Sequence, residues 1–229
     1  MFAAIAPLLI FIAFILLLLV SLSAPIIKSI FLFRLAANVS SGLLNSNANG
    51  KVNFGVWGYC VSAIQVSVAG FDRSRGAQCS GTHLGYTIDE TIASVLNADD
   101  IRNVLSRTTT AALVIHPIAC GLTFLTFIIS LFILRRGSNG TSRLPSLLTL
   151  GVGLTAALLT TVVFLIDVIF VAVVRHRVRD ASDGNLTLTW GNAVWMTLGA
   201  TVALWLAMVG ACAGVCACGG RNRRKAETY

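Results

Sequence analysis

Two ionisable side chains stand in stretches that are otherwise apolar: His116, just before Pro117, and Asp167, inside Val162–Val174. An acid at the centre of a membrane helix costs about 2.5–3.5 kcal/mol, so Asp167 has to face protein and find a partner. Asp167 lies about seven residues inside one end of its stretch, roughly 10 Å at 1.5 Å per residue. His116 lies about six residues inside the matching end of its own. If the two stretches are antiparallel neighbours, the side chains sit at similar depth and meet. Two chemistries are then open. The pair is a neutral interhelical hydrogen bond that locks the packing, or an imidazole–carboxyl pair that titrates near physiological pH. Backbone freed by Pro117 is a further partner for His116.

The cysteines fall into groups. Cys60 and Cys79 stand in a long segment of mixed polarity. They are either two free thiols or a disulfide, which would enclose about 18 residues and contribute roughly 3 kcal/mol through loop entropy. Cys212, Cys216 and Cys218 precede Arg221, Arg223, Arg224 and Lys225. Thiols between an apolar run and a basic cluster are candidates for reversible palmitoylation beside anionic lipid. Inert thiols are the alternative. Metal binding is a poor third, because no histidine stands near. Asn38-Val39-Ser40 and Asn185-Leu186-Thr187 are glycosylation sequons. No phosphate-cradling glycine loop, nucleophile elbow or metal-ligand cluster is present. The expectation is therefore no catalytic residue, no cofactor, no metal and no enzyme.

The elements that must position these residues follow from composition. Of 229 residues, 56% are hydrophobic and 11% charged. Soluble domains carry roughly 45–50% and about 25%. A soluble enzyme, a disordered chain and a collagen are excluded, and a polytopic membrane protein is favoured. The net charge of +8 is spread too thinly for a nucleic-acid surface. Four stretches reach the length of a span: residues 1–30 (apolar from Phe2 to Ile27), 110–134, 147–174 and 193–218. The first resembles a signal peptide at Ser21-Leu22-Ser23-Ala24, but no cation precedes it, which favours a retained helix. Arg135, Arg136 and Arg143 in loop 135–146, and the basic tail 219–229, argue for the cytoplasmic side. Arg175, Arg177 and Arg179 argue against it. The two sequons and a Cys60–Cys79 bridge, which needs an oxidising compartment, place segments 31–109 and 175–192 outside and both termini inside. A third sequon, Asn139-Gly140-Thr141, would then be silent.

Segment 31–109 reads as a small domain. Val52–Tyr59 and Val61–Ala69 suit strands, Phe71–Gly81 reads as turns, and Leu84–Ile88 as a short strand. Asp89–Arg107 has near-helical apolar spacing and leads into the second span. Lys28 reads as a snorkelling lysine, Trp190 and Trp195 as interfacial anchors, and Gly210 with Gly214 as a close-packing face that makes self-association a candidate.

Gly55-Val56-Trp57-Gly58-Tyr59-Cys60 resembles the Gly-Leu-Trp-x-x-Cys signature of the claudin superfamily. The longer run Asn53-Phe54-Gly55-Val56-Trp57-Gly58-Tyr59-Cys60, then Cys79 and Leu84-Gly85-Tyr86, is similar to the fungal PalI family and its eisosome-associated relatives. Pro25-Ile26-Ile27-Lys28, Leu113–Ala119, Asp167 and Trp190-Gly191-Asn192-Ala193-Val194-Trp195 agree in order. The Cys60–Cys79 spacing is wider than in claudins, and many PalI proteins carry a long Pro-rich tail beyond the fourth span. The resemblance implies an all-α membrane four-helix bundle with a small extracellular β-domain, claudin-like in layout, at the fungal plasma membrane. It implies a non-enzymatic accessory of ambient pH signalling whose partners are the bilayer and a PalH-like seven-span sensor. The alternatives are an eisosome-type organiser of membrane microdomains and cell wall, or a channel subunit using Asp167.

Overall fold

The structure is a computed structural model that describes residues 5–41, 46–62, 64–68, 71–75, 78–81, 99–136, 144–181 and 186–226. Leu84–Ile88 and the first part of Asp89–Arg107 lie outside the described residues. Among those residues there are four helices: α1 (Ile5–Ser21), α2 (Asp99–Arg136), α3 (Leu144–Ala181) and α4 (Asn192–Ala226). Three contain apolar runs long enough to cross a bilayer: Val114–Ile133, Leu148–Asp180 and Asn192–Cys212. The apolar helix α1 is shorter, with 17 described residues. It stops at Ser21 rather than running on to Ile27. Pro25 explains the stop, because proline donates no backbone hydrogen bond and its neighbour is pushed out of the helical region. Residues 22–30 instead form turns joined by a Ser23–Ile27 bridge, and the Ala24–Pro25 peptide is cis.

The described residues fall into two compact units. One contains Met1–Leu18, Pro117–Phe164 and Thr197–Tyr229. Its core joins Ile10, Ala13 and Leu17 of α1, Cys120 of α2, Ala157 of α3, and Ala200, Leu204, Ala207 and Met208 of α4. The small residues let helix backbones approach closely, which is how helices associate where lipid removes the hydrophobic driving force. Phe11–Phe127 and Phe14–Phe124 ring contacts, each at 5.1 Å, fill the wider gaps. Thr123, Thr126, Thr160 and Thr201 are buried here, and each hydroxyl donates to a carbonyl one turn back in its own helix at 2.7–2.8 Å. No hydroxyl proton of these four is left unpaired in an apolar medium. Leu154, Leu158 and Val162 of α3, and Val202, Leu206 and Val209 of α4, are exposed at helical spacing, as lipid-facing stripes must be.

The other unit, Leu19–His116 with Leu165–Met196, carries a seven-stranded antiparallel sheet. Its strands are β1 (Phe33–Ser41), β2 (Ser46–Phe54), β3 (Tyr59–Val61), β4 (Ile64–Val68), β5 (Phe71–Arg75), β6 (Gln78–Cys79) and β7 (Leu186–Trp190). The order is β5-β4-β2-β1-β7, with β3 pairing β2 and β6. Register fixes two faces. Phe33 pairs Phe54 and Trp190, and Leu35 pairs Leu188, while Arg34 pairs Asn53 and Thr189, and Ala36 pairs Thr187. Phe33 and Leu188 are buried, and Thr187 and Thr189 exposed, the alternation of a sheet with one packed side. Phe71–Gly81, read as turns, holds β5 and β6. Segment 175–192, read as a loop, begins as helix to Ala181 and ends as strand β7, so both long connections feed one sheet.

Candidate functional site

The residues singled out by the sequence gather around the chain that leaves α1, in the sheet-bearing unit. Strand β2 ends at Phe54, and Gly55–Gly58 turns against Ser21–Pro25. The Gly55 amide donates to the Gly58 carbonyl at 2.8 Å, closing the turn. The Val56 amide donates to Ser23 Oγ at 2.8 Å, and the Trp57 amide to the Ala24 carbonyl at 3.3 Å. The Trp57 indole N–H donates to the Ser21 carbonyl at the end of α1. That carbonyl is among the last four of the helix, which have no partner within it. A Cβ on Gly55 would come within 2.6 Å of the Ala24 nitrogen and 2.8 Å of its Cα. Only glycine lets the two backbones meet so closely.

The start of α4 holds the next stretch of the same segment. Asn192 Oδ1 accepts from the Phe31 amide at 3.0 Å, and its Nδ2 donates to the Ser29 carbonyl at 2.9 Å. The Gly191 amide donates to the Leu32 carbonyl at 2.8 Å, and the Leu32 amide to the Phe54 carbonyl at 2.7 Å. A side chain on Gly191 would stand 2.5 Å from the Leu32 carbonyl carbon. Residues 21–32 are therefore bound by backbone-directed bonds from two sides. Sequence reasoning placed Trp57 and Gly191–Asn192 in motifs but missed Ser21 and Ser23, for which no local signal exists.

Cys60 and Cys79 form a disulfide between paired residues of β3 and β6. Beside it, Tyr59 and Ser80 exchange bonds: the Tyr59 amide donates to Ser80 Oγ at 3.0 Å, and the Ser80 amide to the Tyr59 carbonyl at 2.9 Å. The Tyr59 ring begins a column of aromatic contacts. It meets Phe54 at 5.8 Å, Phe54 stacks on Phe33 at 4.6 Å, and Phe33 meets Phe170 of α3 edge-on at 5.8 Å.

Three residues before Phe170 stands Asp167. His116 Nε2 lies 3.1 Å from Asp167 Oδ2, joining α2 to α3. The two residues are 1% and 4% exposed. The carboxyl and imidazole thus satisfy one another where water is excluded. Phe170 carries the same turn of α3 to the apolar face of the sheet. Among the described residues this is positioning geometry, which fixes one helix on the next.

The remaining candidates are dispersed. Asn38 lies in β1 opposite Asn49. Asn185 is outside the described residues, immediately before Leu186, which pairs Ala37. Cys212 is free and exposed, and Cys216 and Cys218 lie further along α4. Lys28 and Trp195 are exposed, and Trp190 is half-buried in β7.

Among the described residues, four helices, three of them long and apolar, with a small disulfide-bearing antiparallel sheet, fit a multi-pass membrane protein in a lipid bilayer. Residues 2–207 match the model of the SUR7/PalI family, and the chain belongs to that family. It is similar to the pH-response regulator protein palI/RIM9 of Pyricularia oryzae, with 30% identity over 205 residues, 88% of this chain. The match covers 22% of that relative, so the chain spans about a fifth of the length of the curated relative it matches.

Proposed function

We propose that this protein is a non-enzymatic accessory of ambient pH sensing at the plasma membrane, claudin-like in layout, which helps a PalH-like seven-span sensor reach or stay at the surface. The observation that carries the reading is the 30% identity, over 88% of this chain, to a pH-response regulator. In this reading both termini are cytoplasmic and the sheet is outside. The Cys60–Cys79 disulfide supports that orientation, because such bonds persist in oxidising compartments. The sheet and the lipid-facing helix stripes are the binding surfaces, and the His116–Asp167 pair fixes α2 on α3.

The test is deletion of the gene in its host, scoring growth at alkaline pH and the surface level of the sensor. Loss of both, rescued by the intact protein but not by Cys60→Ser, is the expected result. The family model also spans the SUR7 branch. Normal alkaline growth with a normally placed sensor would sink the accessory role in favour of an organiser of microdomains and cell wall.

A further inference from the structure

The entry of α4 and the chain that precedes β1 meet at one level. The apolar run of α4 begins at Asn192, whose side chain holds the Phe31 amide and the Ser29 carbonyl. Residues 29–31 therefore lie where a membrane span starts. Trp195, one turn into that span, is exposed, as a ring in the headgroup layer is. Leu22 and Ile26 of the connecting chain are exposed apolar residues, and Lys28 beside them is an exposed cation. Apolar and basic groups side by side suit the surface of a leaflet.

Arg34 stands over this level. Its guanidinium carbon lies 4.6 Å from the centre of the Phe31 ring, and its Nε donates to Asn53 Oδ1 at 2.8 Å. The strand register puts Asn53 directly opposite. A ring on one face and an amide at one edge fix the plane of the guanidinium. Among the side chains described, no acid is paired with it: Asp167 is closed on His116 and Asp180 on His176. Its two terminal nitrogens stand side by side, an arrangement that takes two oxygens of one oxyanion.

We infer that Arg34 holds the phosphodiester of an anionic phospholipid in the leaflet that α4 enters, with Lys28 adding positive charge beside it. A lipid fits better than a soluble anion because Leu22, Ile26 and Trp195 offer apolar surface to its glycerol and acyl chains, which a free phosphate does not use. The geometry is the same whichever face of the membrane the sheet occupies.

The full-length protein, purified in detergent micelles, is mixed with phosphatidylglycerol or with phosphatidylcholine of matched acyl chains, and bound lipid is counted by native mass spectrometry. One phosphatidylglycerol should be retained at concentrations about tenfold below those that phosphatidylcholine needs, the factor that a single charge-assisted hydrogen bond supplies. Arg34→Lys keeps the charge but loses the planar fork, and should erase this preference. Asn53→Asp sets a carboxylate against the guanidinium in a side chain of the same shape, and should erase it too. This variant serves if Arg34→Lys does not fold. Lys51→Gln removes an exposed cation two residues away on β2 and should leave the preference intact. Equal retention of the two lipids overturns the inference, as does a preference kept in either folded variant at Arg34 or Asn53. A preference lost equally in Lys51→Gln marks diffuse charge and overturns it as well. Millimolar inorganic phosphate that displaces the lipid assigns the site to a soluble oxyanion and overturns the lipid.

Discussion

Replacing His116 and Asp167 separately and together tests whether the buried contact is a unit. The pair is closed at 3.1 Å, and both residues are almost wholly shielded. His116→Ala leaves Asp167 with one fewer partner in a medium that offers no water. Losing one hydrogen bond to a buried polar group costs about 1–3 kcal/mol. Asp167→Ala does the same to His116. Once either is gone, the second substitution removes a group already deprived of its contact. The double variant should therefore lose about as much as the worse single variant, not the sum. The expected coupling is about 1–2 kcal/mol, near the upper end for polar contacts between membrane helices. Unfolding in detergent, followed by tryptophan fluorescence, measures it. Single losses that add in the double variant would refute the reasoning, since uncoupled sites are additive.

Cys60→Ser should destabilise the sheet by about 3 kcal/mol, the loop-entropy value for a bridge of this span, read as a lowered melting temperature that reducing agent reproduces in the intact protein. Gly55→Ala should fail to reach the cell surface, because its Cβ has no room against Ala24, whereas Gly121→Ala, with open space around it, should traffic normally. Asn192→Ala removes two hydrogen bonds to residues 29–31 and should cost about 1–3 kcal/mol, with Asn192→Asp recovering the bond to the Phe31 amide. Asn38→Gln and Asn185→Gln should each remove one glycosidase-sensitive step in gel mobility if the sheet faces outside.

The helices were legible because lipid demands a crude, local property. Runs of Leu, Val, Ala and Ile announce themselves without knowledge of what they touch. The His116–Asp167 contact was legible for a related reason: an acid in such a run has few ways to be satisfied, and depth narrows them further. The sheet was harder, since strands are decided by partners far away. β1 is poor in strand-forming residues at its far end, and it is held by β2 on one side and by β7, about 150 residues later, on the other. Leu186-Thr187-Leu188-Thr189-Trp190 does alternate with period two, a signal that could have identified β7. β5, Phe-Asp-Arg-Ser-Arg, is polar enough to pass for a turn, as edge strands often are. α3 runs past the apolar stretch that ends at residue 174. Arginine is a good helix former, and the helix runs on through Arg175–Arg179, with His176 and Asp180 paired one turn apart at 3.3 Å on its exposed surface.

The residues that carry the family resemblance share one physical task. Gly55 and Gly191 are glycines because another backbone lies where a Cβ would be. Trp57 offers an indole N–H to a helix-terminal carbonyl, and Asn192 offers both an acceptor and a donor to two backbone groups. Each acts on main-chain atoms of residues 21–32, and the Ser23 hydroxyl of the segment accepts from the Val56 amide beside them. That segment joins a membrane helix to a sheet with no regular element of its own to satisfy its amides and carbonyls, and near a membrane surface those groups cannot count on water. A motif spent on this problem needs glycine for approach and amide or indole donors for reach. It follows that Trp57→Phe, which keeps the ring and deletes only the donor, should lower stability by about 1 kcal/mol while leaving the disulfide formed. If Trp57→Phe were as damaging as Trp57→Ala, the indole hydrogen bond would be the whole of the residue's role. If it were silent, the ring's packing would be, and the grip on the chain leaving α1 would rest on the Val56 amide bonded to Ser23 Oγ and the residue-57 amide bonded to the Ala24 carbonyl.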